Sequence, residues 1–258
     1  MLKMKNITKN IKKILNFDRG FNKVTNLAWQ NQRDLIDNIK PVIFDVGANV
    51  GDITYLYRQL FPEAIIHTFE PTPSLYSLLC HRNDTDFRVI CNQLAIADDE
   101  RLSIFNINKS LATNSLHLSH PAANELWGEN LLDIQDQIEV TVTTIDQYCK
   151  LNSIEHIDIV KLDIQGSEYD ALIGAKNMLK DQKISLVYTE IILADTYVDQ
   201  KKLHEYLELM DGFGYIVFNI YNPKIRQQQI AQADFLFVTP HILSSFRKKQ
   251  RKSYIQGG

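Results

Sequence analysis

From residue 41 onward, apolar runs alternate with amphipathic stretches, and the spacing changes from period two to the helical period each time. Apolar runs at 42–46, 64–69 and 87–92 predict strands. Between them, residues 53–60 and 74–82 predict helices; Pro62 stops the first, and Pro73 opens the second at a favoured early position. The rhythm resumes with a strand at 158–162 that turns through Gly166 into a helix at 167–179. A strand at 184–189, a helix at 200–210 and strands at 215–220 and 235–238 follow. Asn222-Pro223 reads as the opening of a polar hairpin connection, which makes the last strand antiparallel. This order predicts an α/β protein with a seven-stranded, mostly parallel sheet, one antiparallel edge and helices on both faces. Such sheets bind ligands at the carboxyl ends of their strands.

Residues 95–145 interrupt the rhythm. Residues 102–107 and 138–143 predict strands, and a polar stretch containing Ala112-Thr113-Asn114-Ser115-Leu116 lies between them. A connection this long inside a domain is usually functional, so it reads as the substrate-side insertion. His117 and His120 lie three apart, but no nearby acid or cysteine completes a metal set, so no metal is expected there. Residues 1–40 read as a helical extension. Its first part places Ile7, Ile11, Ile14 and Leu15 on one face among lysines, and its second, 27–38, offers Trp29 as a packing anchor or part of a lid. Residues 41–240 form the main domain, and 241–258 form a basic tail.

The first strand runs into Phe44-Asp45-Val46-Gly47-Ala48-Asn49-Val50-Gly51. Gly47 and Gly51 permit torsions and close approaches that a Cβ forbids, and the next helix points free N–H groups back at the loop. A dinucleotide fingerprint wants glycines at the positions of Asn49 and Asp52, and an acid at the helix start repels pyrophosphate. The chain also lacks a phosphate-cradling G-x-x-x-x-G-K-[ST]. Taken alone the loop reads either as an ordinary strand-to-helix turn or as a site that suits a nucleoside without phosphates and with a positively charged group. S-adenosylmethionine is such a ligand, with Asp45 near its cationic end. Glu70 ends the second strand, at the place where a carboxylate takes both ribose hydroxyls. Asp45, Glu70 and Asn92 end three successive strands, and Asp163 and Glu190 end the next two. Lys161 sits inside an apolar strand and needs a partner, with Asp163 and Asp45 the candidates.

Composition narrows the classes. The 258 residues carry a net charge of −3, which argues against a general nucleic-acid binder. Three unclustered cysteines and no signal peptide suggest the cytoplasm. The basic termini suit peripheral contact with a membrane surface.

The loop quoted above, Phe69-Glu70-Pro71, Thr144-Ile145-Asp146 and the run from Ile157 through Lys161-Leu162-Asp163-Ile164-Gln165-Gly166-Ser167-Glu168 together resemble the FkbM family of S-adenosylmethionine-dependent methyltransferases. The resemblance spans about residues 41–240. It implies a Rossmann-like class I methyltransferase fold and O-methylation of a sugar, glycan or related small metabolite. The family commonly carries K-I-D-V-E-G-x-E, and here Gln165 replaces the first glutamate. A hydroxyl acceptor needs a base, for which Asp163 is the first candidate and Glu190 the second. Cofactor contacts are expected from Asp45, Gly47, Asn49, Gly51, Glu70 and Asn92. The competing expectations are a non-catalytic scaffold on this fold and a nucleic-acid methyltransferase, which would carry an Asn/Asp-Pro-Pro-Tyr/Phe motif or a Pro-Cys nucleophile.

Overall fold

The computed structural model describes residues 26–256, so the amphipathic helix expected over residues 1–17 lies outside the described residues. In chain order the elements begin with α1 (Leu27–Leu35), β1 (Val42–Val46), α2 (Asp52–Leu60), β2 (Ile65–Phe69), α3 (Pro73–Arg82) and β3 (Val89–Asn92). The insertion supplies β4 (Ala95–Ile96), β5 (Arg101–Asn108), a 3₁₀ turn at Leu111–Thr113, α4 (Ala123–Trp127) and β6 (Ile134–Thr143). Then come α5 (Ile145–Leu151), β7 (Ile157–Leu162), α6 (Glu168–Ile173), α7 (Lys176–Lys180) and β8 (Ile184–Ile192). The chain closes with α8 (Leu203–Gly212), β9 (Ile216–Arg226), β10 (Gln229–Val238) and α9 (Pro240–Gln256).

Period-two alternation sorts the strand side chains between two helical layers. Ile43, Ile159, Leu186 and Leu236 face one core, shared with Trp29 of α1, Leu56 of α2 and Leu243 of α9. Phe44, Val160, Val187 and Phe235 face the other, shared with Ile145 of α5, Leu172 of α6, Leu179 of α7 and Met210 of α8. Trp29 is 4 % exposed and meets the rings of Tyr57 and Tyr188 edge-on, so it is a packing anchor.

The main sheet has the order β3-β2-β1-β7-β8-β10-β9. All pairings from β3 to β8 are parallel, and β10 is antiparallel to both neighbours. This is the doubly wound, class I methyltransferase-like arrangement. The antiparallel strand is not at the edge, as expected from sequence; it sits between β8 and β9. The hairpin is also longer than expected. Its turn falls at Gln227 and Gln228, both with positive φ, and Asn222-Pro223 lies within β9. Asn222 takes a left-handed φ of 49°, next to a register shift, and Pro223 is tolerated because β9 is an edge strand.

The helix expected at 167–179 is split into α6 and α7. Gly174 lies at the break, where a Cβ would come within 2.0 Å of the Ala97 carbonyl oxygen. That close approach seats the insertion on the main domain. The insertion folds into a three-stranded sheet of order β4-β6-β5, with its own small core of Ala95, Ala97, Phe105, Val140 and Val142. The basic stretch after residue 240 is carried on α9, whose inner face packs through Leu243 and Phe246 while Arg247, Lys248 and Arg251 are exposed. Among the described residues no helix is long and apolar enough to cross a membrane.

Candidate active site

The site grows from a buried ion pair. Asp45 and Lys161 are register partners on β1 and β7, 0 % and 4 % exposed. Lys161 Nζ lies 3.1 Å from Asp45 Oδ1 and donates to the carbonyls of Val46 (3.2 Å) and Gly47 (3.1 Å). Its three hydrogens are thereby engaged. Burial pulls the Lys161 pKa down, but the charges of Asp45 and Asp163 outweigh it, and the ammonium is held above its ordinary range. Asp45 Oδ2 accepts from Thr54 Oγ1 at 2.7 Å. Asp45, expected at the cationic end of a ligand, therefore lies beneath the loop and fixes it from below.

Above this pair the backbone turns sharply. Gly47 (φ +75°) packs so closely on β7 that a Cβ would stand 1.9 Å from the Asp163 carbonyl oxygen. The N–H groups of Gly47 and Ala48 both donate to the Phe69 carbonyl at 3.0 Å. Asn49 follows at φ 51° and donates its N–H to Glu70 Oε2 at 3.0 Å. Thr72 N–H donates to Glu70 Oε1 at 2.9 Å. Burial pushes the Glu70 pKa up against those bonds. Each of its oxygens retains a lone pair for a further donor.

Gly47, Asn49, Glu70 and Asp163 line one cavity. Its other walls combine apolar side chains, Phe69, Pro71 and Leu94 from the main domain and Phe105, Leu111 and Leu116 from the insertion, with the polar Asn114, Gln165 and Ser167. Glu70 and Asp163 are its acidic residues, and among the described residues no lysine, arginine or histidine lines it. Three of the other expected residues are placed elsewhere. Gly51, at φ 87°, starts α2 against Leu79. Asn92 spends its amide on the Thr68 and Ile90 carbonyls and accepts from Tyr148. Glu190 is buried behind Asp163, where burial and the Asp163 charge push its pKa well up.

Several residues at the cavity carried no role in the sequence reading. Glu168 accepts from the N–H groups of Ile164 (2.8 Å) and Gly166 (2.9 Å), and so shapes the loop after β7; burial raises its pKa to about 7. Asn114 and Ser167 line the cavity at 8 % and 1 % exposure, and their Nδ2 and Oγ atoms have no partner among the described residues. Thr72 Oγ1, next to the Glu70 carboxylate, is likewise buried without one. The polar run around Asn114 marked the insertion as functional, but no spacing rule told which of its amides turns inward.

His117 clamps the insertion to the main domain through Asp170 (3.0 Å) and the Val198 carbonyl (3.1 Å). Among the described residues, no group of three His, Cys, Asp or Glu side chains is placed to hold a metal.

The sequence model of a family described as "Methyltransferase FkbM domain" matches residues 45–217. A 2-O-methyltransferase, NoeI, from Sinorhizobium fredii is 28 % identical over 76 % of this chain and 83 % of its own length. The 31-O-demethyl-FK506 methyltransferase FkbM of Streptomyces tacrolimicus is 26 % identical over 74 % of this chain and 78 % of its own. Among solved structures, an rRNA methylase from Streptococcus thermophilus overlaps with a TM-score of 0.47 at 10 % identity, covering 83 % of this chain and 94 % of that one.

Proposed function

The chain belongs to the FkbM methyltransferase family, and from that premise we propose that it methylates a hydroxyl of a sugar, glycan or similar small metabolite, with Asp163 as the base. The observation that supports this most is the cavity's lining: two acidic residues, an apolar slot with neutral polar side chains at its edge and, among the described residues, no basic side chain. That lining complements a neutral nucleoside with a cationic centre and disfavours a phosphorylated one. Both named relatives are O-methyltransferases by name.

The residues present fit S-adenosylmethionine. The Gly47 turn leaves a cradle that a Cβ would close, and Asn114 Nδ2, Ser167 Oγ and Thr72 Oγ1 are buried polar atoms awaiting partners. Buried polar atoms are rarely left unpaired, so each such atom marks a place for a ligand group or water. In this reading the free lone pairs of Glu70 take the ribose hydroxyls. Phe69, Pro71 and Leu94 flank the base. Asn114 and Ser167, at the β7 end, supply neutral donors for the methionine carboxylate. Bound there, the cofactor supplies a methyl group activated on a sulfonium.

Transfer from a sulfonium is downhill, so the protein's main work is alignment. Asp163 is placed to take the acceptor's proton as the oxygen attacks. Asp163 Oδ1 is already bound by the Gln165 amide at 2.9 Å, which leaves Oδ2 to face the acceptor. The insertion closes the cavity on the acceptor side and excludes water from the reacting pair.

Calorimetric titration with S-adenosylhomocysteine tests the assignment. Glu70→Ala is expected to weaken binding about 100-fold, since it removes the ribose acceptor and orphans two backbone donors. Asp163→Asn is expected to keep that affinity and lose turnover when a panel of hydroxylated sugars is incubated with labelled methyl donor. Equal binding by wild type and Glu70→Ala would reject the ribose site. Undiminished turnover in Asp163→Asn would remove it as the base.

A further inference from the structure

Gln165 lies between two acids. It sits in the left-handed region at φ 57°. Its Nε2 donates to Asp163 Oδ1 at 2.9 Å and to Glu190 Oε2 at 3.1 Å. A carboxamide has two N–H hydrogens, and here both go to carboxylates. Its Oε1 lies 3.0 Å from Tyr197 Oη, whose single hydrogen also faces the Thr113 carbonyl at 3.1 Å, and its backbone carbonyl accepts from Ser115 Oγ at 2.6 Å. The reversed amide would aim its oxygen at both acids, so the orientation is set by charge. The next residue, Gly166 (φ +102°), packs under the Tyr197 ring, which a Cβ would meet at 2.9 Å. Glu190 is gripped from its other side by the Gln232 amide, with Lys224 Nζ 3.9 Å away.

We propose that Gln165 is a positioning residue for methyl transfer: its carboxamide occupies the bridging place between Asp163 and Glu190 and ties the aim of Asp163 to the closed roof. This rests on Asp163 being the base. Two carboxylates on either side of one site repel each other, and a proton on one of them or a cation between them relieves that repulsion. A proton on Asp163 would quench the base. The amide places neutral N–H groups between the two acids, with no proton or cation needed there. It also brings the roof into the geometry, because Ser115 and Tyr197 hold the backbone and side chain of the bridging residue. Displacing residues 113–117 or 196–198 would therefore turn Asp163 away from its working orientation.

A glutamate at 165 reverses the electrostatics. Three carboxylates would converge, and the site would require either a proton or a divalent cation. The test compares the full-length wild type with Gln165→Glu and with Gln165→Met, which keeps the size and loses both donors. Thermal unfolding is followed in chelator and in millimolar Ca²⁺ or Mn²⁺, with S-adenosylhomocysteine titrated calorimetrically against each protein. Gln165→Glu is expected to melt about 5 °C below wild type in chelator near neutral pH. It should recover most of that loss on adding the cation, which should leave wild type unchanged, and its gap to wild type should also narrow on acidification.

Gln165→Met is expected to bind S-adenosylhomocysteine within about 3-fold of wild type. Its acid limb of methyl transfer to the sugar panel should move to higher pH, because the two acids would face each other without the donors between them. A structural spacer would not move that limb. The proposal is overturned if Gln165→Glu melts like wild type and ignores cations, or if Gln165→Met leaves the pH profile in place. It is equally overturned if the same cations stabilise wild type as much as Gln165→Glu. Failure of wild type to bind S-adenosylhomocysteine would instead sink the cofactor site itself, a separate outcome.

Discussion

The floor of the cavity and its roof are anchored by different groups. On the floor, backbone pairs with backbone and with buried charged side chains: Gly47 and Ala48 donate to Phe69, Asp163 N–H donates to Val46, Asn49 N–H donates to Glu70, and Lys161 grips the Gly47 carbonyl from beneath. In the roof, side chains hold the backbone. Asn106 Nδ2 donates to the carbonyls of Ser115 and His117, Asn114 Oδ1 accepts from Asn108 N–H, and Ser119 Oγ donates to Leu132. The floor rests between two large cores, the roof on a cluster of Ala95, Ala97, Phe105, Val140 and Val142. A region with few buried apolar contacts opens locally at lower cost. The contrast separates tasks: a rigid floor suited to one cofactor, and a roof whose polar side chains can be exchanged to suit different acceptors.

The strongest way to break the contrast is at Gly47. Alanine there combines a positive φ of +75° with a Cβ 1.9 Å from the Asp163 carbonyl oxygen, and that oxygen belongs to backbone that cannot swing aside. Gly47→Ala is expected to lose about 4 kcal/mol of stability and all detectable S-adenosylhomocysteine binding. Thermal unfolding and calorimetry read both. A variant that folds and binds normally would show that close backbone approach does not shape the floor.

That same floor is what the sequence made readable. Period-two apolar runs, the Gly47 and Gly51 loop and Glu70 at a strand end are local patterns, and local patterns translate directly into strand ends and turns. The placements that were not readable depend on contacts across the fold. Asp45 points to Lys161, 116 residues later in the chain, because β1 and β7 pair in that register. Asn92 turns to its own strand and Tyr148, which comes from α5. Gln165 stood out as a departure from the family pattern, yet its bridging role appears only once Glu190 and Tyr197 are brought beside it. The break at Gly174 has the same origin, since its cause is the carbonyl of Ala97.

A smaller effect sharpens the roof's share in the cofactor site. Asn114 is the inward amide of the insertion, its Oδ1 spent on Asn108 and its Nδ2 without a partner among the described residues. Asn114→Ala is expected to weaken S-adenosylhomocysteine about 10-fold, the worth of a hydrogen bond to a charged group. Binding of methylthioadenosine, which lacks the amino-acid moiety, should be unchanged. Equal losses for both ligands would move Asn114 to the nucleoside end. No loss for either would take the roof out of cofactor binding.

The smallest effect is a pH slope, and it lies at the clamp between the two regions. His117 faces acceptors on both sides, the Val198 carbonyl at Nδ1 and Asp170 at Nε2, an arrangement that favours the protonated ring, in which both nitrogens donate. The hydrogen bond to Asp170 raises its pKa against the opposing effect of burial, with the Asp170 charge and the Val198 carbonyl adding to the rise. A base whose folded pKa is raised stabilises fully below its unfolded value of about 6.5 and loses that contribution as pH climbs through the folded value. Glu168 works in the same direction for the opposite reason. Its carboxyl is raised to about 7 by burial, so its cost grows as pH rises from the ordinary carboxyl range towards neutrality. Wild type is therefore expected to melt at a lower temperature at about pH 8 than at about pH 6, with His117 contributing about 1 kcal/mol, or roughly 3 °C, of the difference. His117→Gln should flatten that part of the slope and leave the part due to Glu168. Hydrogen exchange would place the loss: protection at the Val198 and His120 amides, which bond to Leu118 and Thr196 across the clamp, should fall with rising pH in wild type while protection at Gly47 and Ala48 holds. An unchanged slope in His117→Gln, or equal loss of protection in floor and roof, would mean that the two regions open as one unit.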